Sequence, residues 1–113
     1  MAYVPDAGDL IKVDFNPQTG HEQAGWRRAL VLSPKSYNGK SSLAIVVPTT
    51  NQVKGYPFEV LLPPGIVTTG AILSDQVKSL DWRARRAQFV EKAPPGVMQA
   101  VRGRLMALLG FAG

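Results

Sequence analysis

The chain has 113 residues, of which 45% are hydrophobic, and it carries a formal net charge of +5. This length suits a single core, so we expect residues 1–113 to form one domain. The absence of cysteine excludes disulfides and thiolate metal sites, and the single histidine leaves few ligands for a zinc site. Any hydrolytic chemistry would then be metal-free or would use a carboxylate-bound ion.

The first residues lack a basic flank followed by an apolar run, which a secretion signal would require. No later segment approaches the roughly 18 apolar residues of a membrane-spanning helix. We therefore expect a cytoplasmic protein that does not contact a membrane.

Charge is distributed unevenly along the chain. Residues 1–22 carry one lysine against four carboxylates, a net charge of −3, whereas the remainder carries +8. A basic body favours a polyanionic ligand or an acidic peptide, through counterion release and electrostatic steering. Basic faces that serve only solubility fit the charge equally well.

Most of the chain has the pattern of short β-strands separated by turns. Alternation and stop residues predict strands over residues 8–15, 27–32, 42–47, 56–62, 70–80 and 84–90. Ser36 to Lys40 contain an Asn-Gly pair that predicts a turn, and Pro48 is expected to end the third strand. Five or six such strands indicate a small barrel or sandwich.

The C-terminal region has the period of a helix. Val97, Val101, Leu105, Leu108 and Leu109 recur at helical spacing after two prolines, and Gly110 provides a stop. The predicted fold is therefore mainly β, with a C-terminal amphipathic helix lying on a small β-barrel.

Residues 20–34 combine a loop with a buried strand. Gly20 and Gly25 bracket a loop that carries Glu22, and Arg27 stands where that loop meets the apolar strand. A loop base and a fixed cation could flank one phosphate, as acid–base catalysis on a phosphodiester requires. A surface ion pair beside a long turn is the alternative.

Five blocks of sequence stand in a characteristic order: residues 8–11 (GDLI), 22–27 (EQAGWR), 32–34 (LSP), 54–60 (KGYPFEV) and 74–85 (SDQVKSLDWRAR). Together they resemble the MazF/PemK family of toxin endoribonucleases. The resemblance implies an SH3-like barrel with a C-terminal helix, usually a homodimer. It also implies metal-free cleavage of single-stranded RNA at short sequences, leaving 2′,3′-cyclic phosphate and 5′-hydroxyl ends, and silencing by a cognate acidic antitoxin similar to MazE.

The resemblance also assigns catalytic positions. The essential arginine of the family falls on Arg27, its loop glutamate on Glu22, and its strand-end threonine on Thr50, with Thr49 one residue away. Members of the family often have proline where this chain has Arg28, and we expect the added cation to alter affinity or sequence choice.

The residues themselves favour attack by the substrate's own 2′-hydroxyl, because no motif offers a two-carboxylate metal cage or a histidine pair. Glu22 is the candidate base, and His21 is an alternative because its ordinary pKa is near neutrality. Arg27 would bind the phosphoryl oxygens, and Thr50 would donate a hydrogen bond. No cofactor is expected.

A second set of residues is expected to bind RNA, with lysines tracking phosphates, polar side chains reading base edges and aromatic rings stacking on bases. They are Gln23, Trp26, Arg28, Lys54, Tyr56, Asp75, Gln76 and Lys78. Two other classes remain open. A non-enzymatic toxin of the same fold would bind DNA gyrase, although the final residues 110–113 (GFAG) do not match the tail of such toxins. A plain SH3-like adaptor would need neither the Glu22–Arg27 loop nor the basic body.

Overall fold

The computed structural model describes residues 2–14 and 25–111. Within them the chain forms seven strands and two helices. The elements in chain order are β1 (Asp9–Asp14), β2 (Trp26–Val31), α1 (Lys35–Ser41), β3 (Leu43–Thr50), β4 (Glu59–Leu61), β5 (Ala71–Leu73), β6 (Lys78–Asp81), β7 (Gln88–Lys92) and α2 (Pro95–Leu109).

All strand pairs in the described residues are antiparallel. The hydrogen-bonded order is β4-β5-β3-β2-β1-β7, and β6 also pairs with β3. The long strand β3 therefore has β2 on one edge, while β6 and then β5 share the other. The expectation of a mainly β fold with a C-terminal helix is confirmed, although the pairing does not close into a complete barrel within the described part of the chain.

The three central strands bury side chains on both faces, which the pleat directs alternately up and down. On one face, Leu10, Leu30 and Val47 pack against Val97 and Val101 of α2. The opposite face holds a second apolar cluster. Its buried members are Ile11, Val13, Ala29, Val31, Ala44, Val46, Leu80 and Trp82. Burial on both faces fixes the register, because a one-residue slip would exchange the two sets of side chains.

The turn expected at residues 36–40 is wrong, since this segment is helix α1. Asn38 is fully buried, and its side-chain nitrogen donates to the carbonyl oxygens of Pro5 and Ser33 at 2.8 and 2.9 Å. Its own carbonyl oxygen accepts a 2.9 Å bond from the Trp82 indole. These contacts draw Asn38 inward, so the Asn-Gly pair cannot serve as the tip of an exposed hairpin.

Three strand bounds also differ from expectation. β3 continues through Pro48 to Thr50. Pro48 lies between the residues of β3 that pair with β6 and those that pair with β5, so neither strand needs a backbone amide from it. The single strand expected over residues 70–80 is divided into β5 and β6 by a turn, in which the Gln76 amide donates to Leu73. The strand expected over residues 84–90 begins only at Gln88, after a turn.

Helix α2 begins and ends as the sequence predicts. Pro95 occupies its first turn, and Gly110 ends it in the left-handed conformation at φ 77°. Val97, Met98 and Val101 are buried, whereas Leu108 and Leu109 are exposed. The N-terminal half of the helix therefore covers the sheet. No helix in the described ranges is both long and apolar enough to cross a bilayer.

Candidate functional site

A cavity opens where β2 begins and β3 ends. It has a volume of about 640 Å³. Its described walls come from β2, from the end of β3 with the two residues after it, and from the loop before β5. The lining residues are Trp26, Arg27, Arg28, Thr49, Thr50, Asn51, Gln52, Val67, Thr68 and Thr69.

The strand register explains why Arg27 and Thr50 meet there. Ala29 of β2 pairs with Pro48 of β3, so continuing the antiparallel ladder by two residues brings Arg27 opposite Thr50. The Thr49 hydroxyl lies 3.5 Å from the Arg28 carbonyl oxygen, as that register requires. The arginine and the threonine doublet singled out from the sequence therefore face one cavity.

Two observations distinguish Thr50 from Thr49. The Thr50 hydroxyl oxygen accepts a 3.0 Å bond from the Gln52 amide, a bond that leaves the hydroxyl's own proton unused. Thr50 also lines a second cavity of about 240 Å³ that adjoins the first. Thr50 is thus the member of the doublet shared by both cavities.

The second cavity gathers four of the eight residues expected to bind RNA. Lys54, Tyr56, Asp75 and Gln76 all line it, together with Gln52, which it shares with the larger cavity. Lys78 lines neither cavity and is exposed at the start of β6. The two cavities form one path along the surface.

Glu59 fixes the loop that carries Lys54 and Tyr56. Its buried carboxylate accepts hydrogen bonds from three successive backbone amides. The Lys54 amide donates to Oε2 at 3.2 Å, and the Gly55 and Tyr56 amides donate to Oε1 at 2.7 and 3.2 Å. These bonds hold residues 54–56 in an irregular segment that leads into a turn at residues 57–58, rather than in the strand expected from residue 56 onward. The Lys54 ammonium lies 5.9 Å from the centre of the exposed Tyr56 ring. A cation and an aromatic face are therefore presented together.

Trp26 stands at the mouth of the larger cavity with its side chain partly exposed. Lys12 lies 5.5 Å from the centre of its ring, and the Arg86 guanidinium lies 5.3 Å from it. Arg86 also forms an ion pair with Asp14. The ring is thus an apolar surface in a cationic setting, which suits a stacked base attached to a phosphate.

The loop before β5 forms the wall of the larger cavity that sequence reasoning missed. Arg28 donates a 3.2 Å hydrogen bond to the Thr68 hydroxyl, and the Thr69 hydroxyl donates a 2.8 Å bond to the Asn51 side-chain oxygen. Glu91 of β7 accepts the amides of two residues of this loop. No local sequence pattern joins residues this far apart, although Gly70 marks the close approach of the loop to β3.

The charge of Glu91 is stabilised where it stands. Partial burial alone would raise the pKa of Glu91, but the Val67 amide, the Thr68 hydroxyl and amide, and the Arg28 guanidinium together lower it. Glu91 is therefore ionised at neutral pH and accepts hydrogen bonds with both oxygens.

Glu22, His21 and Gln23 fall outside the described residues, so the structure places neither candidate base. Within residues 2–14 and 25–111, no group of three histidine or carboxylate side chains is arranged to hold a metal ion. The described walls of the larger cavity carry two guanidinium groups and several hydroxyl and amide groups. This arrangement can bind an anion and donate hydrogen bonds to it.

Comparison with known proteins gives a consistent set of relatives. Residues 6–109 match the family model described as the PemK-like, MazF-like toxin of type II toxin-antitoxin systems. Over 108 residues the chain is 51% identical to the endoribonuclease toxin MazF of Escherichia coli K12, covering 96% of each protein. It is 36% identical to the endoribonuclease PemK of Escherichia coli, over 92% of this chain and 81% of that protein.

A solved structure agrees with the fold. The chain superposes on the crystal structure of MazE-MazF (Form-II) from Deinococcus radiodurans with a TM-score of 0.91 and 52% identity. The match covers 98% of this chain and 100% of that chain.

Proposed function

Because this chain belongs to the PemK-like, MazF-like family of toxins of type II toxin-antitoxin systems and is an endoribonuclease, we propose that it cleaves single-stranded RNA at short sequences without a metal ion. The products are a 2′,3′-cyclic phosphate and a 5′-hydroxyl. Destruction of messages in the cytoplasm then stops translation and growth. The convergence of Arg27 and Thr50 on one cavity is the observation that carries this proposal.

The reaction needs a base, an anion site and a route for one proton. Glu22 accepts the proton of the ribose 2′-hydroxyl while that oxygen attacks the adjacent phosphorus. Arg27 binds the phosphoryl oxygens as negative charge builds in the crowded phosphorane, and Thr50 donates a hydrogen bond to it. The bond from phosphorus to the 5′ oxygen then breaks, and that oxygen takes a proton through water beside Arg27. His21 is the alternative base.

The metal-free character of the proposal rests on the source of each catalytic element. The substrate supplies the nucleophile, so no ion is required to generate hydroxide. Two arginines at the start of β2 supply positive charge where a phosphate would lie, and Arg27 is half-buried, which strengthens its attraction for an anion.

Flanking nucleotides follow the path formed by the two cavities. Lys54 contacts a phosphate, Tyr56 stacks on a base, and Asp75 and Gln76 read base edges. Trp26 stacks on a second base, and Gln23 and Lys78 extend the track at its ends. Unpaired bases are needed for such stacking, so the substrate is single-stranded.

Residues 1–113 act as one domain, which forms a homodimer and is silenced by an acidic antitoxin. An acidic, partly disordered segment competes with RNA for the same cations, because both ligands are polyanions. An exposed apolar surface suits the contact between copies. It includes Phe111, which is 70% exposed, and a cavity of about 230 Å³ beside α2.

The test is incubation of purified, antitoxin-free protein with a long unstructured RNA in EDTA, followed by mapping of the fragment ends. We expect fragments with 5′-hydroxyl and cyclic phosphate ends. Arg27→Ala should lower the rate by at least about 10²-fold to 10³-fold, the usual cost of removing one donor to a developing oxyanion. Glu22→Gln should also lower the rate, and His21→Ala should leave the pH–rate profile unchanged.

Lys40→Ala is the matched control, because it removes one exposed cation from α1 and Lys40 lines neither cavity. It should cleave as the unaltered protein does. Intact RNA in every sample would overturn the ribonuclease proposal and make binding to DNA gyrase the next hypothesis to test. Full activity of a folded Arg27→Ala variant would remove Arg27 from the mechanism.

A further inference from the structure

Residues 66–69, which we call the wall, form one side of the larger cavity but belong to no strand or helix. Thr68 is buried and points into the protein, whereas Val67 and Thr69 are exposed. A segment of this kind would be expected to adopt several conformations unless contacts from neighbouring elements hold it. Two such contacts are present.

The first contact comes from β7. One carboxylate oxygen of Glu91 accepts the Val67 amide at 3.0 Å, and the other accepts the Thr68 amide at 2.7 Å. Glu91 itself pairs with Leu10 of β1, next to a shift of register in the β1–β7 ladder between Leu10 and Ile11. Strand β7 thus holds two successive amides of the wall by charge-assisted hydrogen bonds, which are stronger than neutral ones.

The second contact comes from β2. The Arg28 guanidinium donates to the Thr68 hydroxyl at 3.2 Å, on the side of the wall that faces the cavity. Arg28 and Glu91 therefore bind the same threonine, Arg28 through the hydroxyl oxygen and Glu91 through the amide and the hydroxyl. Their opposite charges reinforce the grip.

The wall in turn orients a group beside Thr50. The Thr69 hydroxyl donates to the Asn51 side-chain oxygen at 2.8 Å, which directs the two N–H donors of that amide away from the wall. Together the wall and Asn51 offer an apolar valine, a hydroxyl and an amide, and no cation. Such neutral groups complement a nucleobase, whereas a phosphate would be drawn to the arginines.

We infer that Glu91 and Arg28 are positioning residues that hold the wall as a base-selecting surface beside the reacting phosphate. This inference rests on the proposed ribonuclease function. Glu91 lines neither cavity, and it acts through the position of Val67, Thr69 and Asn51. Loss of the grip should therefore change which base is accepted and how tightly RNA binds, while leaving the phosphoryl step unchanged.

The first measurement is amide hydrogen exchange of the protein without RNA, in the unaltered chain and in the variants Glu91→Gln and Glu91→Ala. Glutamine retains one acceptor oxygen and alanine retains none, so exchange at Val67 and Thr68 should accelerate in that order. Thr68→Val keeps the side-chain shape but removes the hydroxyl that Arg28 binds, and it should accelerate exchange less than Glu91→Ala does. Unchanged exchange in Glu91→Ala would overturn the inference.

The second measurement uses short RNAs that differ in the one base on either side of the cut. For Glu91→Gln we expect KM to rise about tenfold, the effect of losing one charge-assisted hydrogen bond, with kcat within about twofold of its original value. The ratio of kcat/KM for the RNA with the best base to that for the RNA with the worst base should fall by a similar factor. Asp81→Asn is the matched control, because Asp81 accepts the Ala84 amide in a turn that lines neither cavity.

A purely structural role for Glu91 would lower the melting temperature and leave base preference and KM unaltered, and that result would overturn the inference. If the unaltered protein fails to cleave RNA, the ribonuclease proposal fails separately. Base preference is then measured as the affinity for 2′-O-methyl oligonucleotides, which lack the nucleophile. Equal affinities for all bases, before and after Glu91→Gln, would overturn the base-selecting role in that case.

Discussion

Gly70 provides the sharpest test of how the site is built. It has φ +92°, and a Cβ at this position would lie 1.9 Å from the Thr50 carbonyl oxygen. Because Cβ contacts under 3.0 Å essentially never occur, Gly70→Ala must separate the two backbones by about 1.1 Å. Displacement of a catalytic group by about 1 Å can cost about 10²-fold in rate, so we expect kcat/KM for RNA cleavage to fall about 100-fold.

Gly65→Ala separates steric displacement from backbone strain. Gly65 also has a positive φ, +90°, but a Cβ there meets no atom within 4 Å. Both variants should lose about 1–2 kcal/mol of stability from the left-handed conformation, and only Gly70→Ala should lose activity. The assay is single-turnover cleavage of one defined RNA, with circular dichroism to confirm folding. Equal activities of the two folded variants would refute the reasoning that the wall and Thr50 are fitted against each other.

Two further predictions concern stability. Asn38→Ala removes three buried hydrogen bonds to Pro5 and Ser33, so urea unfolding should show a loss of about 2–4 kcal/mol, whereas Ser36→Ala on the exposed side of α1 should change stability by less than about 0.5 kcal/mol. Similar losses in the two variants would contradict this account of α1. The Lys35 amide lowers the pKa of Asp6, with partial burial opposing it. The stability that Asp6 contributes is thus complete above its ordinary pKa and disappears as the pH falls through its lower folded value. In Asp6→Asn the free energy of unfolding should depend less on pH in that acidic window. An unchanged plot of unfolding free energy against pH would contradict the role of Asp6.

Much of the fold could be predicted because the signals are local. Alternation along β1 and β2 and the helical period before Gly110 predict these elements nearly at their observed bounds. The predicted family and endoribonuclease class are confirmed by the relatives, because the motif blocks recur over nearly the whole chain.

The wrong predictions share a physical cause. Asn38 lies in a helix and not in a hairpin turn because it forms hydrogen bonds with Pro5 and Trp82, which are 33 and 44 residues away. Strand β3 continues through Pro48 because β6 pairs with β3 before this residue and β5 pairs with it after. Neither fact can be read from neighbouring residues, since tertiary contacts override local propensity.

Some residues of the candidate site could also be predicted from local sequence, whereas others could not. Arg27 could be singled out because it stands where a loop meets an apolar strand, and Thr50 because the family resemblance places a threonine at that strand end. Thr69 and Glu91 could not, because each gains its role from a partner distant in sequence, 18 residues away for the bond to Asn51 and 24 for the bond to Val67. The roles of Glu22, Gln23 and the remaining site residues stay predictions until the variants are measured.

The part of the site on strands β2 and β3 tolerates less sequence change than the part on loops. The buried faces of β3 lock the register with β2, so Arg27 and Thr50 cannot be moved relative to each other without exchanging two sets of core side chains. The loops at residues 54–58 and 66–69 each depend on one carboxylate. Under the proposed function, substitutions in these loops would change the target sequence while the geometry of cleavage stays the same.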